Sequence, residues 1–138
     1  MKYLQTVELL KLINSTLKTV NNNVYLDNAP SMDNITDTSA YPYVVYELQG
    51  SNFDEFEENI NLVIDIWDYS KDSTAIETLA DNIVSALNLL NKTCGTNLAT
   101  FYFNSRQKIY DVNIELKRRQ LQFTIQNIDT NDFYKKYI

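Results

Sequence analysis

The sequence predicts an α+β domain: a largely antiparallel mixed sheet with two helices packed on one face. Two segments have helical apolar spacing, several others alternate with the period of a strand, and the strands cluster instead of alternating one-for-one with helices. The length of 138 residues is that of one domain with one core. We therefore treat residues 1–138 as a single domain, with 129–138 as an extended or flexible C-terminal tail.

Both predicted helices have apolar residues at steps of three and four. The first runs over about residues 3–20 and stops at the Asn run 21–23, because Asn tolerates the left-handed backbone common at helix ends. The second begins at a capping box formed by Thr74 and Glu77, for which Asp72 and Ser73 are rival caps, and 91–95 forms its exit. The expected apolar stripes are Tyr3, Val7, Leu10, Ile13, Leu17 and Val20 in the first helix, widened by Leu9 and Leu12, and Ile76, Leu79, Ala80, Ile83, Leu87 and Leu90 in the second.

The strand predictions depend on period-two alternation and on β-branched and aromatic content. The polar segment 27–41 is predicted to be a surface loop. Pro42 opens the strand that follows and Gly50 ends it. A turn at 51–54 then leads into the longest strand. In the longest strand Ile60, Leu62, Ile64 and Ile66 face the core, and in the last one Leu121, Phe123 and Ile125 do. The predicted strands are 24–26, 43–48, about 56–68, 98–104, 109–114 and 119–125.

The scarce residue types exclude most catalytic classes. There is no histidine, only one cysteine, Cys94, and only two glycines, so imidazole catalysis, an intrachain disulfide and a Gly-rich phosphate loop are all ruled out. We predict no catalytic residue, no cofactor and no metal. One enzymatic alternative stays open: Asp65 and Asp68 flank Trp67, as in a small cation-dependent hydrolase.

The net charge of −6 is unevenly distributed along the chain. Residues 1–20 carry +2, residues 21–83 carry −12, and residues 84–138 carry +4. The acidic residues 21–83 form either a solvated surface or the acidic side of a head-to-tail contact, in which they would meet a basic surface of a neighbouring copy. No stretch is apolar enough to span a bilayer, and Glu8 and Lys11 interrupt any signal peptide, which favours a protein made in a reducing cytoplasm.

Aromatic and basic residues are the candidates for an interface. Tyrosine suits interfaces because its ring is apolar while its hydroxyl can stay wet, although half-buried sheet faces use it for the same reason. The basic run 117–119 suggests either a protein-facing surface or nucleic-acid contact, and the acidic total disfavours a general nucleic-acid binder. The candidate interface residues are Tyr43, Trp67, Tyr69, Arg106, Lys108, Arg118 and Arg119.

Four segments resemble the tail-terminator (tail-completion) proteins of long-tailed bacteriophages, in particular phages of Gram-positive hosts. They are residues 41–46 (YPYVVY), 62–68 (LVIDIWD), 76–83 (IETLADNI) and 118–125 (RRQLQFTI). The resemblance extends over roughly residues 1–127. The Asn-rich segment 21–39 and the terminal FYKKYI match no feature of that family.

The resemblance implies a structural virion protein and not an enzyme. It implies a subunit of a hexameric ring that caps the completed tail tube, stops its polymerisation and meets the head–tail connector. The partners would be other copies of the chain, the tube protein and the connector, with DNA only passing through the ring lumen and no membrane. A head-completion or neck adaptor that joins connector to tail is the alternative within the virion.

Overall fold

The structure is a computed structural model that describes residues 6–29, 40–54 and 57–129. The predicted helix start at residue 3, residues 30–39 of the predicted loop and the tail beyond Asp129 lie outside the described residues. Two helices and six strands are described: α1 (Thr6–Lys18), β1 (Val24–Leu26), β2 (Tyr43–Asp54), β3 (Glu57–Tyr69), α2 (Thr74–Leu87), β4 (Asn91–Cys94), β5 (Asn97–Ile109) and β6 (Leu116–Asp129).

All six strands belong to one mixed sheet in the order β1-β2-β3-β6-β5-β4. Only β1 and β2 are parallel, and every other neighbouring pair is antiparallel. Helix α1 contacts both edge strands, β1 and β4, because the sheet is curled. The predicted α+β class is confirmed, including the two helices on one face.

The core lies between the helices and one face of the sheet. The predicted alternation in β3 is confirmed, since Ile60, Leu62, Ile64 and Ile66 are all buried there. Their partners are the buried side chains of the other elements: Leu9, Ile13 and Leu17 of α1, Ile76, Leu79, Ala80, Ile83 and Leu87 of α2, and Phe101, Leu121, Phe123 and Ile125 of the sheet. The predicted face of α1 is wrong at one position, because its buried row starts at Leu9 and leaves Val7 64% exposed.

The start of α2 decides between the rival caps. The carboxylate of Asp72 accepts a hydrogen bond from the backbone N–H of Thr74 at 3.0 Å, and this bond lowers the pKa of Asp72. Ser73 occupies the N-cap position without a side-chain bond, and Thr74 is already helical. Asp72 therefore provides the cap, and the predicted Thr74–Glu77 box is wrong.

Several predicted boundaries are also wrong. Strand β2 continues past Gly50 to Asp54, so the predicted turn at 51–54 is strand that pairs with β3, with a register shift next to Gly50. The predicted helix exit at 91–95 contains β4, and the turn before it is made by Leu89, whose φ is 64°. In both places pairing with a neighbouring strand decides the local structure.

The largest error concerns the segment after Phe103. Strand β5 runs without a break to Ile109 and pairs with β6 throughout, apart from a register shift between Phe103 and Ser105. Of the predicted strand 109–114, Ile109 ends β5 and residues 110–114 are instead a loop. Its turns are made by side chains: Asp111 accepts the N–H of Asn113, and Asn113 accepts the N–H of Glu115, each at 3.0 Å.

Neither described helix is long and apolar enough to cross a membrane.

Candidate interaction surfaces

Three candidate residues form one row across the sheet face that lies opposite the helices, which we call the open face. Tyr43 of β2 is in register with Trp67 of β3, and Trp67 with Arg118 of β6. The Tyr43 and Trp67 rings stack with centroids 5.9 Å apart and planes 13° apart. The guanidinium of Arg118 lies 4.5 Å from the centre of the Trp67 ring, which is cation–π distance.

Three more tyrosines extend this row into an aromatic cluster of Tyr25, Tyr41, Tyr43, Trp67 and Tyr69. The Tyr41 ring lies 5.4 Å from that of Tyr43 and 6.1 Å from that of Tyr69, while Tyr25 meets Tyr43 edge-on at 6.4 Å. Burial, followed by the neighbouring Tyr41, raises the pKa of Tyr43 to about 12. The cluster therefore joins three strands and the segment before β2 at one end of the open face.

The Arg118 side chain is hydrogen-bonded to Asp65. One carboxylate oxygen of Asp65 accepts hydrogen bonds from Arg118 at 3.1 Å and from Gln120 at 3.3 Å. Within the described ranges the buried Nε of Arg118 has no hydrogen-bond partner. The Arg118 side chain is 28% exposed, so its charge is accessible to solvent beside the Trp67 ring.

Arg106 and Arg119 lie on the other face and bind helix α2. Glu77 accepts hydrogen bonds from Arg106 at 3.0 Å and from Nε of Arg119, and Asp81 accepts one from Arg106 at 2.6 Å. Burial alone would lower the pKa of Arg106, but the bond to Asp81 and the two carboxylate charges outweigh it and raise that pKa. The structure gives these two arginines an intrachain role, and their part in an interface stays a prediction.

Lys108 lies next to the last residue of β5, just before the connection to β6. Its ammonium lies 5.0 Å from the centre of the Tyr110 ring. We call residues 110–115 the β5–β6 loop. Three apolar side chains of this loop are almost fully exposed: Tyr110 at 83%, Val112 at 102% and Ile114 at 81%.

A shallow cavity of about 190 Å³ lies between the β5–β6 loop and the adjoining ends of β5 and β6. Its walls include Lys108, Arg118 and Arg119, together with Tyr110 and Ile114 of the β5–β6 loop. Sequence reasoning missed the loop, because its alternating apolar residues have the pattern of a strand. The Asp and Asn at 111 and 113, which favour turns, were the available signal.

A second apolar surface lies beside the edge strand β1. We call it the α1–β1 groove; it has a volume of about 400 Å³ and is lined by Val7, Leu10, Lys11, Asn14, Leu26 and Tyr46. The hydroxyl of Tyr46 donates a hydrogen bond to the side chain of Asn14 at 3.2 Å. Val7 and Leu26 are 64% and 42% exposed, so the groove is open to solvent.

The two carboxylates of the enzymatic alternative lie on opposite faces of the sheet. Asp65 lies on the open face with Arg118, whereas Asp68 is buried, and its position three residues along β3 places it on the helix-covered face. Burial raises the pKa of Asp68 despite the hydrogen bond that it accepts from the Tyr69 backbone. In the part of the chain that the structure describes, no group of three or more His, Cys, Asp or Glu side chains could hold a metal ion.

The fold is shared with a virion component. A chain from the virion of a native gene transfer agent particle superposes with a TM-score of 0.63 at 12% identity, over 84% of this chain and 91% of that one. A second solved structure, of a protein described without a function, has a TM-score of 0.62 at 10% identity, over 89% and 96% of the two chains. No family model and no curated protein matches the sequence. At these identities the likeness shows a common fold.

Proposed function

We propose that this chain is a structural subunit of a phage or phage-like particle. The observation that carries the proposal is the fold it shares with a chain of the gene transfer agent virion, over 84% of this chain and 91% of that one. The four segments that resemble tail terminators support the same class from the sequence. The chain acts by shape and self-association and carries out no chemical reaction.

Within that class, the chain is a tail terminator. Copies form a hexameric ring on the head-proximal end of the tail, where the ring caps the tube, stops its growth and presents a surface to the connector. A ring needs two different complementary patches on each subunit, because its contacts are heterologous. The aromatic cluster with Arg118 and the exposed β5–β6 loop are patches of the chemistry that interfaces favour.

Light scattering coupled to size exclusion tests the assembly, with the chain alone and with purified tail tubes. We expect self-association or binding to tube ends. A chain that stays monomeric in both conditions would contradict the proposal.

Electron microscopy of particles that lack the protein tests where it acts. Loss of a terminator gives overlong tails. Tails of normal length beside unjoined heads would assign the chain to the neck adaptor that joins connector to tail. Particles assemble in the bacterial cytoplasm, so both phenotypes are scored in lysates of the host.

A further inference from the structure

The β5–β6 loop is an apolar projection whose turns are held by hydrogen bonds. Its turns are fixed by the side chains of Asp111 and Asn113, and the backbone carbonyl of Glu115 accepts the N–H of Ser70 at 2.8 Å, which ties the loop to the segment after β3. Val112 and Ile114 nevertheless project almost entirely into solvent. A loop that is ordered before it binds loses little conformational entropy on binding.

The α1–β1 groove has the opposite shape and the same polarity. It is a concave site of about 400 Å³ whose exposed apolar walls include Val7, Leu10 and Leu26. Strands β2, β3 and β6 separate β1 from β5 in the sheet, so the groove and the loop are separate surfaces. A projection and a separate recess on the same subunit allow one copy to join the next.

The two surfaces offer one complementary charge contact. The only charged residues of the loop are the acids Asp111 and Glu115. Lys11 lines the groove with its side chain 69% exposed; its described partner is Glu8, 56% exposed, at 3.5 Å, and the acid Asp27 also lies beside the groove residue Tyr46. An exposed pair of this kind contributes little, so Lys11 can exchange it for a new carboxylate at small cost.

We propose that the β5–β6 loop of one copy inserts into the α1–β1 groove of the next copy. The contact is head-to-tail, with the apolar side chains of the loop in the groove and its acids beside Lys11. Repeated around an axis, this contact closes a ring. The inference deepens the proposed function by naming the surfaces through which the ring subunits meet, and it depends on that function.

Two charge variants and their mixture test the contact. Val112→Asp damages only the loop, and Leu26→Asp damages only the groove. We expect each variant alone to be monomeric by light scattering where the wild type is a ring. Mixed in equal amounts, they retain one intact loop and one intact groove, and we expect a discrete heterodimer that grows no further.

Leu89→Asp is the matched control. Leu89 is 66% exposed, lies outside both surfaces, and has the left-handed backbone that Asp tolerates. This variant should form the same oligomer as the wild type. Circular dichroism melts of all three variants should resemble the wild-type melt, because the substituted side chains are exposed.

The outcomes separate this inference from the proposed function. If the wild type forms a ring and either charge variant still does so, the inference is wrong and the proposed function stands. Monomers in the mixture would also overturn the inference, since a heterologous contact must be restored there. A wild type that stays monomeric with and without tubes overturns both.

Discussion

Glu77 is the α2 residue whose carboxylate binds arginines of both β5 and β6, and its replacement tests how the polar side of α2 is anchored to the sheet. Its carboxylate accepts hydrogen bonds from Arg106 and from Arg119, and the Arg119 side chain is only 7% exposed. Glu77→Gln removes the charge that compensates this buried guanidinium. Asp81→Asn is the matched control, because Asp81 also binds Arg106 but is 70% exposed.

The expected cost follows from the two bonds. A hydrogen bond to a charged group contributes about 1.5–3 kcal/mol, and we take a total of about 2 kcal/mol because Glu77 itself is partly exposed. With an unfolding entropy of about 2.1 cal/mol/K per residue over 138 residues, this lowers the melting temperature by about 7 °C. Asp81→Asn should cost at most about 1 kcal/mol, as exposed pairs do.

Urea denaturation of the wild type and the two variants at pH 7 measures both costs. The slope with urea should be the same for all three proteins, since the surface exposed on unfolding does not change. If Glu77→Gln lost no more stability than Asp81→Asn, Arg119 would not depend on Glu77, and the account of how α2 is anchored would be wrong.

Three further outcomes are expected. Burial raises the pKa of Asp68 above its ordinary value of 3.8, so the protein loses stability as the pH rises from 3.8 through the pKa of the folded state. Asp68→Asn should remove this pH dependence and unfold at a higher urea concentration than the wild type at pH 7. A lower urea midpoint for the variant would contradict the prediction. The pKa of Tyr43 is about 12 in the folded state against an ordinary 10, so between these values the folded state keeps a proton that the unfolded chain loses. Between pH 9 and pH 11 the free energy of unfolding of the wild type should therefore fall by about 1.4 kcal/mol more than that of Tyr43→Phe. Parallel pH profiles of the two proteins would refute this. Leu89 has a φ of 64°, which disfavours side chains other than Gly, Asn and Asp, so Leu89→Asn should raise stability by roughly 0.5–1 kcal/mol in the same urea assay, and a loss would contradict it.

The fold class was predictable because the strongest patterns are local. Period-two alternation in β3 placed its four aliphatic side chains in the core, and the stripe of α2 identified its buried face. The errors lie where distant pairing decides. Strand β5 continues through the polar residues 105–108 because β6 lies beside it, and Gly50 stays in a strand because β3 does. No local pattern encodes those neighbours.

The candidate residues were predictable in type but not in placement. Alternation places Trp67 and Tyr69 on one face of β3, but only the register adds Tyr43 and Arg118 to that row. The consecutive Arg118 and Arg119 necessarily point to opposite faces of β6. Which of them binds α2 depends on where the helix lies, and sequence reasoning had no access to that.

The order of strands also has a kinetic consequence. The hairpins β2–β3 and β5–β6 are local, but they join only where β3 pairs with β6, and α2, β4 and β5 lie between those strands in the chain. Bringing such distant segments together is the slow step in folding sheet proteins. We expect each hairpin to form early and the β3–β6 pairing to form late, so the rate at which folded protein accumulates is set by how fast these two parts of the chain meet.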